Sequence, residues 1–272
     1  MKKEIVSAYG KALLLFLLIP WLINFFVPLS IFLPLSSTIE RTHPSTAQMD
    51  ILSAVLSLIV VLCYLFLGKY IQKEMRDTNE SLVERSDSKS VKKIYCSNRK
   101  DILLYSLASL ALPVLVYCLQ NILGVAEGPS SINLYQLPVA LAIGPVIEEY
   151  LFRKVLYFYC TKHGIRRFIF LSALFFTLIH GYSVSAAAVV MFLGRFIWAY
   201  FFLATLYSIY QCIYIPIQMH ICWNLTAVVA IGIFHGEKLA PAAFFTISML
   251  LLLFSIYRII KTKRLMIAEG PV

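Results

Sequence analysis

Runs of about 20 apolar residues, each closed by charged or polar ones, recur along almost the whole chain. A run of that length is what an α-helix needs to cross a hydrocarbon core of about 30 Å. Read against their polar boundaries, the runs predict helices at 12–35, 50–68, 102–124, 134–157, 168–182, 186–209, 212–233 and 241–260. The fifth is short, and the sixth and seventh are nearly continuous. Pro20, Pro28 and Pro34 are placed to kink or end the first helix. The expected fold class is all-α, a polytopic membrane helix bundle of about eight transmembrane helices. A composition of 60% hydrophobic and 14% charged residues lies outside the balance of a soluble domain and agrees with that reading.

The formal net charge of +10 would suggest nucleic acid in a soluble protein. Here the basic residues sit between apolar runs and at both ends, so charge reports topology and no nucleic-acid partner is expected. With the N-terminus cytoplasmic, 21 of the 24 Lys and Arg residues fall on the inside, and only Arg41 and Lys238 fall in outside loops while Arg195 falls within a helix. The positive-inside rule therefore predicts a multi-pass protein of the plasma membrane with both termini cytoplasmic. The apolar start after Met1, Lys2 and Lys3 reads as a first membrane helix without a cleavage site. Residues 69–101 read as one polar cytoplasmic loop. Six scattered cysteines without a CxxC pair read as reduced packing residues.

An ionisable side chain near mid-membrane costs about 2.5–3.5 kcal/mol on insertion scales, so each one asks for a partner or a function. The fourth helix carries Glu148, Glu149 and Arg153, the fifth Phe176 and His180, the sixth Arg195, and the seventh His220 and Asn224. Glu149 and Arg153 are four residues apart, acid first, and are expected to pair along one face. Glu148 is rotated by about 100° from Glu149 and is expected to face a different neighbour. His220 and Asn224 share a face by the same spacing. At about 1.5 Å per residue, Glu148, His180 and His220 lie roughly 14, 18 and 12 Å above the cytoplasmic ends of their helices, one common layer.

A carboxylate, two imidazoles and an amide can activate water and stabilise an oxyanion, with Glu148 as general base and His180, His220 and Asn224 orienting water or the tetrahedral intermediate. One glutamate and two histidines, Glu148, His180 and His220, are equally a possible zinc ligand set. The HExxH spacing is absent, and spacing alone does not choose between the two schemes.

Glu148-Glu149-x-x-x-Arg153, Phe176-x-x-x-His180 and His220-x-x-x-Asn224, in this order on successive helices, resemble the three motifs of the CAAX protease and bacteriocin-processing (CPBP, or Abi) family. The Pro216-Ile-Gln-Met-His220 context resembles the third motif as well. The resemblance covers about residues 134–233. It implies an intramembrane endopeptidase acting on a membrane-associated protein or peptide, with Glu148 activating water, His180, His220 and Asn224 completing the site, and Glu149 with Arg153 as a supporting ion pair. The expected organisation is N-terminal transmembrane helices over 1–133, a CPBP-like peptidase core over 134–260 and a cytoplasmic tail over 261–272. Many bacterial members are tied to peptide maturation or bacteriocin self-immunity, so a bacterial plasma membrane is the expected setting. A non-catalytic immunity or scaffold protein with the same fold is the competing reading, and a transporter the third.

Outside the motifs, Phe176 reads as packing beneath the site. For Arg195 the readings are snorkelling, pairing with a motif glutamate, or binding a substrate carboxylate or lipid headgroup. Gly181 and Gly194 beside polar positions suit close helix approach. His43, His163 and His235 read as ordinary solvated histidines.

Overall fold

The computed structural model describes residues 14–20, 22–23, 45–78, 98–125, 137–161, 164–180, 185–233 and 240–268. Among them the regular elements are all helical, in eight successive runs. These are α1 (Leu14–Leu18), α2 (Thr46–Thr78), α3 (Arg99–Ile122), α4 (Val139–Ile143, Gly144–Glu149, Tyr150–Val155 and Leu156–Thr161), α5 (Ile165–Ile179), α6 (Ala186–Trp198, Ala199–Thr205 and Leu206–Tyr210), α7 (Tyr214–Ile233) and α8 (Ala240–Ala268). Most of the predicted first helix, together with Arg41, His43, His163, Gly181, His235 and Lys238, lies outside the described residues.

Four spans, Gln48–Lys73, Arg99–Ile122, Ala186–Tyr210 and Phe245–Arg264, are long and apolar enough to cross a membrane. The expected count of eight crossings reaches further than these lengths and compositions. α5, with 15 residues, extends about 22 Å at about 1.5 Å per residue, short of the hydrocarbon core. In α4, Glu148, Glu149, Arg153 and Lys154 interrupt the apolar window.

Two ends differ from expectation. α2 continues ten residues past Gly68 to Thr78, into the stretch read as loop. Lys69–Thr78 holds no glycine or proline, and it buries Ile71, so the helix has both propensity and an anchor. α8 likewise runs through Ala268, into the expected tail, where 261–268 again holds no glycine or proline.

The chain divides into two compact units. The first takes its described residues from 1–82 and 133–164, and in it α2 packs on α4. Gly68 makes the room: a Cβ there would stand 2.7 Å from Tyr150 Cε1, so only glycine admits the Tyr150 ring against the α2 backbone. The Tyr150 hydroxyl then donates to Gln72 Oε1 at 2.7 Å. Tyr64, buried on α2, donates to the carbonyl of Pro20 at 3.3 Å.

The second unit, drawn from 83–132 and 165–272, is built around α3, which packs against α6, α7 and α8. Small side chains on α3, Ser106, Ala108 and Ser109, are buried and let its neighbours approach. Polar ties then fix each neighbour. Gln218 of α7 donates to Ser106 Oγ at 2.8 Å, Trp198 of α6 donates to Ser109 Oγ at 3.3 Å, and Gln120 donates to the carbonyl of Ala187 at 2.9 Å. At the start of α3, Arg258 of α8 grips Asp101 Oδ1 through Nη2 at 2.6 Å and Nε at 3.2 Å.

At Gly194 α6 lies close against α3, since a Cβ there would run into the Val116 side chain. Gly194→Ala is expected to lower stability by about 1–3 kcal/mol through overpacking, and Val116→Ala in the same chain to restore most of it. Thermal unfolding in detergent micelles reads both. An equal loss with and without Val116→Ala would show that the contact does not carry the effect.

Candidate functional site

The polar residues singled out in the sequence fall into the two units, and each group has its own geometry. In the first unit, Pro145 governs how α4 presents its acids. A proline in a helix interior lacks an N–H and crowds the carbonyl four residues back. Just ahead of it, α4 widens to a π-helix over Val139–Ile143, closed by the Gly144 N–H donating to the carbonyl of Val139. Gly144 fits there because a Cβ would stand 2.9 Å from that same carbonyl oxygen. The α-helical turn Gly144–Glu149 follows, so the step of about 100° between Glu148 and Glu149 holds.

Glu149 and Arg153 are both fully buried, with Arg153 Nε 3.0 Å from Glu149 Oε2. Glu148, half-buried, points its carboxylate back toward the preceding turn, where a Cβ on Gly144 would lie 3.8 Å from its Oε1. Glu148 is not indifferent to the pair: the Arg153 guanidinium interacts electrostatically with Glu148 as well as Glu149. A second π-helical stretch, Tyr150–Val155, carries Arg153. It contains no proline or glycine, and it lies between the Tyr150–Gln72 tether and the α-helical segment Leu156–Thr161. π-turns of this kind are frequent at functional sites.

In the second unit, His180 closes the C-terminus of α5. The last carbonyls of a helix lack partners within it, and His180 meets two of them. Its backbone N–H donates to the carbonyl of Thr177 at 3.2 Å, and its ring Nδ1 lies 2.7 Å from the carbonyl oxygen of Phe176. A carbonyl oxygen only accepts, so Nδ1 carries the proton and donates it, and in the neutral imidazole Nε2 keeps its lone pair. His180 therefore presents an acceptor nitrogen on a ring fixed by its own helix.

His220, buried on α7, stands between two aromatic walls. Phe176 meets it edge-on at 5.4 Å between ring centroids and Trp198 at 5.3 Å. Phe176 also packs against His180 at 4.7 Å. It is thus the common wall of the two imidazoles, more than a floor beneath them. Asn224 is half-buried one turn beyond His220 on the same helix.

Trp198 escaped the sequence reading. It is fully buried, packs on Phe176 and His220, stacks on Trp223 at 4.4 Å, and donates to Ser109. Its only sequence signal was a spacing of three from Arg195, which puts both on one face of α6. A π-helical stretch of α6 follows at Ala199–Thr205, where the Thr205 hydroxyl donates to the carbonyl of Tyr200 at 2.7 Å.

Among the described residues, no group of three or more His, Cys, Asp or Glu side chains is gathered to hold a metal ion.

Residues 130–226 match the family described as Type II CAAX prenyl endopeptidase Rce1-like. The match spans Glu148, Glu149, Arg153, Phe176, His180, His220 and Asn224, and the resemblance to the CPBP family is borne out by it. No curated protein and no solved structure matches the chain.

Burial without water makes Glu149 and Arg153 depend on each other. Glu149→Gln or Arg153→Met alone is expected to destabilise the protein by about 3–5 kcal/mol, because each strands a buried charge. The double substitution is expected to cost less than the sum, and a double-mutant cycle of melting in micelles reads the coupling. Strict additivity would mean that the two charges do not support each other.

Proposed function

We propose that this membrane protein, Rce1-like over residues 130–226 and so an endopeptidase at the level of family, hydrolyses a peptide bond in a membrane-associated protein or peptide through Glu148, His180, His220 and Asn224. The observation that carries the reading is that one endopeptidase match spans all four of these polar residues. The local geometry supports their roles. Glu148 takes a proton from water as its oxygen bonds to the scissile carbonyl carbon. His180, whose Nε2 holds a lone pair, accepts a hydrogen bond from that water and aims it. Asn224 offers an amide N–H to the developing oxyanion, and His220, fixed by its aromatic walls, completes the donor set. When the C–N bond breaks, Glu148 returns its proton to the leaving amine, giving a carboxylate and an amine. Glu149 and Arg153 stabilise the helix that carries Glu148.

The test compares the purified protein with Glu148→Gln, His180→Ala and His220→Ala on membrane-anchored, fluorescence-quenched peptides with and without a prenyl group. A general acid–base group contributes about 10²–10⁴-fold, so cleavage is expected to fall by at least about 10²-fold in Glu148→Gln while insertion and abundance hold. Chelator dialysis decides between the two schemes: cleavage that survives it assigns every step to the side chains, and cleavage lost and then restored by added zinc assigns Glu148, His180 and His220 as metal ligands. Equal cleavage, or equal absence of it, in all four proteins would sink the peptidase reading in favour of a binding role such as bacteriocin immunity.

For a multi-pass arrangement in a bacterial plasma membrane, the distribution of Lys and Arg supports both termini cytoplasmic. Fluorescent-protein fusions at either end are expected to glow in bacterial cells, and periplasmic phosphatase fusions there to stay inactive. The reverse pattern would overturn the orientation.

A further inference from the structure

We infer that Arg195 is a positioning residue for His180, holding the end of α5 so that the imidazole presents Nε2 in one fixed direction; the inference rests on the peptidase reading and adds to it a residue outside the three motifs. Arg195 Nη1 donates to the carbonyl of His180 at 3.0 Å. Two contacts thus act on His180: its ring is tied to Phe176 O of its own helix at 2.7 Å, and its main-chain carbonyl is tied to Arg195 of α6.

The chemistry of the site favours an arginine. The C-terminus of a helix carries a partial negative charge and unsatisfied carbonyls, and a guanidinium supplies both a positive charge and several N–H donors. In an apolar setting with little competing water, such a charge-assisted bond is stronger than a neutral one. Arg195 is itself held in place. The preceding Gly194 lies against Val116 of α3, and the following Phe196 packs edge-on against Phe170 of α5 at 6.0 Å. Three residues on, Trp198 forms a wall of His220. One face of α6 therefore addresses both histidines, Arg195 through the backbone of His180 and Trp198 through the ring of His220.

Of the three readings that the sequence left open for Arg195, the hydrogen bond favours a fourth, an internal cap on the motif-two helix. Its loss would leave His180 in place but loosely aimed.

The test uses the full-length protein in micelles with Arg195→Met, which keeps the apolar stem and removes the donors, and Arg195→Lys, which keeps the charge and one donor direction. On the peptides above, Arg195→Met is expected to lower kcat by about 10²-fold, the order a misplacement of about 1 Å costs, with KM unchanged. Arg195→Lys is expected to recover a substantial part of the loss. In protein labelled with ¹⁵N-histidine, the ring resonances of His180 are expected to shift in Arg195→Met while those of His220 stay, which global unfolding would not produce. The inference is overturned if Arg195→Met retains full kcat while His180→Ala has lost it, or if the His180 resonances do not move. Should His180→Ala cleave as well as the unaltered protein, the peptidase reading fails instead, and the resonances still decide whether Arg195 holds His180.

Discussion

In an apolar bundle a buried polar group finds no water, so it must be met by another helix or destabilise the fold. α3 shows what that constraint builds. Asp101, Ser106, Ser109 and Gln120 stand along one helix, and each is tied to a different position on α8, α7 or α6. Apolar contact alone would let helices slide, since lipid chains are as apolar as leucine. The directional ties fix which residues face which. The walls around His220 depend on that register, because Trp198 reaches Phe176 and His220 while its indole N–H is engaged by Ser109.

The same constraint acts differently in the first unit. There the buried charges are Glu149 and Arg153, and they answer each other within one helix. The consequence falls on Glu148, whose neighbour in sequence has already engaged the nearest cation, although Arg153 still acts on it electrostatically. Two adjacent acids are thereby made chemically unequal by a rotation of about 100°. One is committed to the fold, and the other remains half-buried beside Gly144.

Much of this was legible in the sequence, for reasons that also explain what was not. Helices are written in long apolar runs, so the seven runs from α2 to α8 were located, and α3 and α6 came out within a few residues of their observed ends. Charged helix ends are less clearly written: Lys69–Thr78 looked like a loop because polarity outweighed its helix propensity, and the buried Ile71 gave no local sign. The shortness of α5 was legible too. The π-helical stretches of α4 and α6 went unseen, since a reading at 3.6 residues per turn assumes them away; Pro145 was the one cue available. Within the candidate site, Phe176 was placed correctly by its motif, but its contact with two imidazoles is a tertiary fact. Trp198 and the bond from Arg195 to His180 join residues 15 or more positions apart through packing, which spacing along a single helix does not encode.

The bond from His180 Nδ1 to the carbonyl of its own helix has a consequence for proton traffic. An imidazole that accepts a proton at one nitrogen and releases it from the other acts as a wire between two partners. His180 has one of its terminals closed, because a backbone carbonyl cannot receive a proton for onward transfer. Whatever proton reaches Nε2 must leave by the same nitrogen, on the side from which it came. In the hydrolysis proposed above, the ring would therefore be a dead end for protons, and their net movement out of the site would run through another group.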